Sequence, residues 1–374
     1  MKIINGCVYT KDFEFKKQDL FVKGEEISSP FIDDVCIDAE NLYVCPSLVD
    51  IHFHGACGHD FMDASAKALE KICRYEAKSG IGTIVPATMT MSKDDISSAL
   101  KVASSFKSPD DGALVEGIYM EGPFISPKKA GAQDPIYVKE PSLELFEKFQ
   151  KDAKGLIKFV VLAPEEKGAL DFIKKLKGKV VISLGHTKCN YEEASQAFFK
   201  GASELTHLYN AMEPLHHRNP GPICAAALND NIFCELICDG IHIDKDMVLL
   251  TFKLFSDKRI IMISDSMMAC GLEDGKYSLG GQKVFVKGRE ARLKDGTLAG
   301  SVTNLFLMLK NAVNMGVPLT SALRCCTYNP AKQAGLLGKV GTLEIGKRAN
   351  IIFFDKNLTL KGVLHGGKWL FKTF

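Results

Sequence analysis

Apolar residues fall along this chain in short blocks separated by longer, mixed stretches. Eight apolar runs lie at about 46–52, 81–88, 114–120, 158–163, 180–185, 203–207, 233–238 and 260–264. Runs of this length, bounded by turn residues, read as buried strands. Most gaps between them carry apolar residues at helical spacing, as in SAKALEKICRYEAKSG, KDDISSALKVASSF, EEKGALDFIKKLKG, YEEASQAFFKG and KDMVLLTFKLF. The gap after the sixth run offers only GPICAAALND as a short helix. Further helices are expected over 303–316 and 319–335. Eight strand–helix units over roughly 290 residues predict an α/β fold, a (β/α)8 TIM-type barrel spanning 46–335. An open doubly wound sheet is the alternative. No Gly-x-Gly-x-x-Gly follows the first strand, so its dinucleotide-binding version is unsupported.

The two ends of the chain follow a different pattern. KIINGCVYT, QDLFVKGEEISS and DVCIDAENLYV are short β-type runs broken by Gly and Asn turn signals, and GTLEIGKRANIIFFD and LKGVLHGGKWLFKTF repeat that character at the C-terminus. They predict one small β-sandwich domain assembled from residues 1–45 and 336–374.

Composition narrows the class without naming a function. The 374 residues are 46% hydrophobic and 25% charged with a net charge of +2, an ordinary globular balance. Near-neutral charge gives no reason to expect a nucleic acid or an anionic membrane as partner. No apolar run approaches transmembrane length, and MKIINGCVYTKDFEF lacks the apolar core of a signal peptide. A cytoplasmic location is expected. The 12 cysteines include no Cys-x-x-Cys, and most sit in apolar stretches, so reduced buried thiols are expected. Cys234 and Cys238 match no familiar zinc spacing.

Candidate chemistry collects where the apolar runs end. His52 and His54 close LVDIHFHG, Glu121 closes IYMEGP, His186 follows VVISLG, His207 follows SELT and Asp265 follows RIIMIS. Side chains at i and i+2 share a strand face, so both imidazoles of the His-x-His pair can enter the barrel mouth. Strands about 4.8 Å apart let His186 and His207 reach one ion. Such a set suits one or two divalent cations, with zinc, iron, manganese and cobalt all compatible. Asp265 is placed to exchange a proton with water. Each residue also has a plainer reading: packing for the histidines, a surface turn for Glu121, a helix cap for Asp265. The stretch HLYNAMEPLHHRNPGP puts Asn210, His216, His217 and Arg218 on a long loop, either to meet a phosphate or as a solvated basic segment.

The segments PSLVDIHFHG, GHDFMD, MEGPFISPKKAGAQDP, SLGHT, THLYNAM, HHRNPG, DGIHID, ISDSM, GTLAGS, TYNPAKQAG and GTLEIGKRANIIFFD occur in order along nearly the whole chain. Together they resemble the amidohydrolase superfamily and, more closely, its N-acetylglucosamine-6-phosphate deacetylase branch. The resemblance implies a (β/α)8 barrel with a small β-sandwich, and metal-dependent removal of the acetyl group of N-acetyl-D-glucosamine 6-phosphate. It implies Glu121, His186 and His207 as main metal ligands with His52 and His54 available to a second ion, zinc or iron, and Asp265 as catalytic acid/base. Ala132, Gln133, Asn210, Ala211, Arg218, His242, Leu298, Ala299 and Gly300 match substrate contacts. The arginine matching Arg218 serves the neighbouring subunit's active site, which implies a homodimer. Some members carry His where this chain has Gln133, so no proton-transfer role passes to that position. The alternatives are another N-acetyl amino sugar or a cyclic amide as substrate, or a scaffold without catalysis.

Overall fold

The computed structural model describes residues 1–32 and 35–374. Eight short parallel strands ring the centre: β1 (Leu48–Asp50), β2 (Ile81–Ile84), β3 (Ile118–Met120), β4 (Ile157–Leu162), β5 (Val181–Leu184), β6 (Glu204–Leu205), β7 (Phe233–Ile237) and β8 (Ile260–Ile263). β3 to β8 pair in chain order, and β1 pairs with β2. Two features close the ring. A parallel bridge joins Ala87 to Tyr119 between β2 and β3. Between β8 and β1, Asp265 N–H donates to the His52 carbonyl at 3.0 Å and Ser264 N–H to Asp50 Oδ1 at 3.4 Å. The barrel therefore shuts through the residues that carry the candidate chemistry.

The helices follow the strands as expected: α1 (Ala66–Lys78), α2 (Lys93–Ser105), α3 (Leu143–Asp152), α4 (Ala169–Leu176), α5 (Tyr191–Lys200), α6 (Gly221–Ala227), α7 (Lys245–Arg259) and α8 (Leu305–Met315), then α9 (Leu319–Cys326) and α10 (Tyr328–Gln333). Local chemistry fixes where many begin. Ser65, Ser92, Ser142, Asn190, Asp244 and Asn304 each accept a first-turn N–H as N-cap. Such caps stabilise a helix by about 1 kcal/mol each and fix the exit of the preceding loop. One continuous core runs between strands and helices, including Phe53, Tyr119, Phe159, Leu184, Ile237 and Ile263.

Two local expectations need correction. The run at 114–120 splits into Leu114–Val115, paired with β2, and Ile118–Met120, paired with β4, with Glu116 and Gly117 at the change of partner. The helix expected over 319–335 breaks at Thr327. Pro330 explains it: in a continuous helix its ring would clash with the carbonyl of Cys326, four residues back. Beyond β8, in a region for which the sequence offered no element, Gly275–Leu279, Gln282–Lys287 and Glu290–Leu293 form an antiparallel three-stranded sheet.

Both chain ends build the β-sandwich. One sheet combines 368–372, 360–365, 351–354, 43–46, 7–9 and 15–17, and the other combines 26–28, 20–23, 2–4 and 36–38. Ile3, Val8, Val22, Val44, Ile351, Phe353 and Leu364 form its core. The twelve cysteines are all free, and no helix among the described residues is long and apolar enough to cross a membrane.

Candidate active site

Six side chains converge just beyond the strand ends. Glu121 extends from β3, and its Oε1 lies 3.0 Å from both His186 Nε2 and His207 Nε2. Those two nitrogens are 3.1 Å apart. Bonds of about 2.0–2.1 Å to one tetrahedral ion set a ligand–ligand edge of about 3.3 Å, close to what this triad presents. His54 Nε2 lies 3.3 Å from both Glu121 Oε2 and Asp265 Oδ1. His52 Nε2 is 3.7 Å from Glu121 Oε1 and 3.9 Å from Asp265 Oδ1, and it has no hydrogen-bond partner. Donor atoms of His52, His54 and Asp265 fall within 4.8 Å of one another, as do those of Glu121, His186 and His207. Two adjoining triads that share the neighbourhood of Glu121, with an orphaned imidazole nitrogen aimed between them, fit one or two divalent cations.

The backbone is bent to present these groups. His186, His207 and Asp265 have φ of 47°, 27° and 45°, a left-handed region that non-glycine residues seldom occupy. Such strain, on the order of 1–3 kcal/mol per residue, collects at functional sites. Two glycines permit close approach. A Cβ on Gly55 would sit 2.1 Å from the His59 carbonyl oxygen, and one on Gly185 would sit 2.6 Å from Thr206 Cβ. Glycine is thus required directly after the His-x-His pair and directly before His186.

Partners behind the ligands orient them. His186 Nδ1 is 2.9 Å from the Lys129 carbonyl, a bond it can only donate, which leaves the Nε2 lone pair for the cluster. Gln133 Nε2 donates to Glu121 Oε2 at 2.7 Å while its Oε1 accepts from Thr90 N–H at 2.6 Å. Burial alone would raise the Glu121 carboxyl, but hydrogen bonds from four histidines outweigh it and hold the group well below the usual carboxylate range. For Asp265 the same contest, burial against His54 and the charge of His52, also ends in a lowered pKa. Burial opposes the charged form of His54, yet Asp265 and Glu121 lift it to about 9. Carboxylates and imidazoles thus hold one another in their charged forms, and a cation binding here would displace the histidine protons.

A cavity of about 370 Å³ opens onto the cluster, of a size suited to a small ligand. His54, Glu121, His186, His207 and Asp265 form its floor, and Ala132, Gln133, Asn210, Ala211, His242, Leu298, Ala299 and Gly300 its walls. His242 is clamped between Asp239 Oδ2, 2.7 Å from its Nδ1, and the Ala299 carbonyl, 2.8 Å from its Nε2. Burial works against its charge, but Asp239 prevails and its pKa is raised. Arg218 is set apart, on an exposed loop beside Asn190, Tyr191 and Glu213 and outside this cavity. Sequence reasoning missed Lys128, Lys129, Met89 and Leu279 on the walls, and the three-stranded sheet that supplies Leu279. It also missed Asp239, although the DGIHID segment held the signal: an acid three residues before a histidine.

The family resemblance was tested by comparison. A model of the amidohydrolase family matches residues 43–370. The chain is 40% identical over 364 residues to N-acetylglucosamine-6-phosphate deacetylase of Bacillus subtilis, covering 95% of this chain and 90% of that one. It is 35% identical over 329 residues to N-acetylgalactosamine-6-phosphate deacetylase of Escherichia coli, covering 87% and 86%. Among solved structures, an aspartate-to-alanine mutant of the Mycobacterium smegmatis N-acetyl-D-glucosamine-6-phosphate deacetylase, in complex with N-acetyl-D-glucosamine-6-phosphate, superposes with a TM-score of 0.92 at 28% identity, covering 99% of this chain and 98% of that one. With a family match over most of its length and relatives at 35–40% identity, this chain belongs to the amidohydrolase family.

Proposed function

We propose that this chain hydrolyses the acetamide of N-acetyl-D-glucosamine 6-phosphate to D-glucosamine 6-phosphate and acetate. The observation that carries the proposal is the Glu121–His186–His207 cluster with Asp265 beside it at the floor of a sugar-sized cavity. Relatives of this activity spanning nearly the whole chain support it. Release of acetate from this substrate by purified, metal-loaded protein tests it directly, and no release would refute it.

Glu121, His186 and His207 would hold a first divalent cation, and His52 and His54 with Asp265 a second; zinc and iron both suit these donors. When bound, such a cation lowers the pKa of water from about 15.7 to about 7 and polarises a carbonyl. Asp265, ionised because neighbouring histidines lower its pKa, accepts a proton from the attacking water. It then delivers that proton to the departing amine nitrogen, so the carboxylate is regenerated and acetate leaves. His242, held by Asp239 at Nδ1 and by the Ala299 carbonyl at Nε2, lines the cavity wall and fixes the Leu298 to Gly300 segment there. Ala132, Asn210, Ala211 and Leu298 to Gly300 shape the pocket around the sugar. The Gln133 side chain is engaged at both ends, by Thr90 and Glu121, and we assign it to orienting that carboxylate.

Arg218 lies outside its own chain's cavity, which suits the phosphate-binding arginine of a homodimer in which each subunit completes its neighbour's site. Sedimentation of the purified protein tests the dimer. The free thiols accord with action in the cytoplasm. One second reading has specific support. The E. coli relative is named for N-acetylgalactosamine 6-phosphate, so the C4 epimer is a candidate substrate. The ratio of kcat/KM for the two epimers decides between them.

A further inference from the structure

We infer that Glu235, inside the barrel on β7, is a positioning residue that fixes His52 with Nε2 toward the ligand cluster, and so governs cation binding by His52, His54 and Asp265. The inference rests on the two-cation reading above. Glu235 is fully buried. Its Oε2 lies 2.9 Å from His52 Nδ1 and accepts the His207 backbone N–H at 2.9 Å. An ionised carboxylate only accepts, so Nδ1 of a neutral His52 must carry the proton and Nε2 must carry the lone pair. That Nε2 is the partnerless nitrogen facing Glu121 and Asp265.

The orientation is fixed twice. The His52 ring stacks on Tyr119 with centroids 4.2 Å apart and planes 21° apart, which sets the ring plane. Glu235 then decides which ring edge faces the cluster. Without it, rotation by half a turn about the ring axis would exchange nitrogens for carbons at little cost in packing. The same oxygen anchors the backbone of His207, which has a φ of 27°, so one carboxylate braces a residue of each triad.

A buried carboxylate costs several kcal/mol unless it is paired. Among the described residues, the ring N–H that Glu235 faces is His52 Nδ1, so the carboxylate is kept where it serves a ligand. Glu204, on the adjacent strand β6, is equally buried and neither of its oxygens has a hydrogen-bond partner. Burial and the Glu235 charge hold its carboxyl well above the usual range, so a neutral acid stands beside Glu235. A carboxylate behind a ligating histidine also raises the basicity of the ring. Loss of such a partner typically weakens metal binding by about 10–100-fold.

The test measures zinc bound per chain, and the affinity of the weaker ion by competition with a chelator. It compares wild type, Glu235→Met, Glu235→Gln, His52→Ala and His52→Ala/Glu235→Met. Wild type should bind two ions. Glu235→Met should keep one and weaken the other by about 10–100-fold. Glu235→Gln keeps shape and an acceptor oxygen but no charge, should fold even if Met does not, and should weaken that ion by about 10-fold, the low end of the same range. In the His52→Ala background Glu235→Met should cost that site nothing further, whereas a merely structural role would cost it equally with or without the imidazole. Wild-type affinity for both ions in both Glu235 variants, or an undiminished Met effect in the His52→Ala background, overturns the inference alone. One ion in wild type, unchanged by His52→Ala, overturns the two-cation reading and the inference with it.

Discussion

Asp265→Asn is the substitution that bears most directly on proton transfer, provided metal content is read beside turnover, because Asp265 also stands with His52 and His54 at the second cation position. The carboxylate has one face toward His54, with Oδ1 3.3 Å from Nε2, and the other toward the cavity. Its backbone is pinned on both sides: the N–H donates to the His52 carbonyl at 3.0 Å and the carbonyl accepts from Ser301 N–H at 2.7 Å. Asparagine is among the few residues that tolerate the φ of 45° found here, so the loop should keep its course. The amide retains an acceptor oxygen for His54 but cannot take a proton from water and return it to an amine. General acid–base catalysis contributes about 10²–10⁴-fold, or about 3–5 kcal/mol of barrier. The variant should therefore lose at least 100-fold in kcat at unchanged KM to within a few-fold, because His242, Asn210 and the cavity walls are untouched. Steady-state acetate release, with metal content measured on the same sample, reads both quantities. A variant that retains more than about a tenth of wild-type kcat with its metal bound loses less than that range allows. Asp265 is then not the proton carrier, and another group must be sought on the cavity wall.

Other substitutions probe separate parts of the reading. His186→Ala or His207→Ala removes one of three donors around Glu121, so bound metal and turnover should disappear together; retention of both would exclude that triad as the cation site. Arg218→Ala should raise KM for a phosphorylated sugar by about 10–100-fold, the worth of a hydrogen bond between charged groups, and leave the unphosphorylated sugar unchanged. Equal effects on the two substrates would show that Arg218 does not recognise phosphate. His365, buried in the β-sandwich with both ring nitrogens unpartnered, should make the fold acid-sensitive. Burial first, and then the charge of Arg348, lower its pKa to about 4. As pH falls from about 6.5, the unfolded chain binds a proton that the folded chain refuses until about pH 4, so up to about 3 kcal/mol is lost across that window. Denaturation of wild type and His365→Leu at pH 7 and 4.5 checks this: the variant should show the weaker pH dependence, and equal slopes would refute it.

The parts of this site that were legible in the sequence share a physical cause. A strand buried on both faces must be an unbroken apolar run, so the first polar residue beyond it stands out. Glu121, His186, His207 and Asp265 were found that way, each placed by the end of a run and not by a motif. His52 and His54 added the period-2 spacing of a strand. The barrel itself followed from the alternation of runs and amphipathic stretches, because each helix needs only its own spacing and cap to be recognised. What stayed hidden depends on contacts distant in sequence. Glu235 sits within an apolar run as an exception to it, and nothing local says that its partner is His52, 183 residues away. The resemblance names Gln133 as a substrate contact, and nothing local says that its side chain also meets Thr90 and Glu121. The sheet at 275–293 has runs too short and too polar to distinguish from a loop, since one face is open to solvent and its core is a small cluster around Met89, Met267 and Val284.

The ligands are carried by positions where the chain leaves a strand, and three of the residues there hold a left-handed backbone. A strained conformation persists only where surrounding contacts over-determine it. Those contacts come from across the barrel: Glu235 accepts the His207 N–H, Ser126 N–H donates to the His186 carbonyl, and the Ser301 and His52 backbones hold Asp265. First contacts with a cation are thus written locally, at strand ends, while their precision is written across the barrel. Substitutions at His186 or His207 should abolish binding outright. Substitutions at the supports should leave a folded barrel that binds the cation loosely, and the difference between the two kinds of loss is measurable as affinity against occupancy.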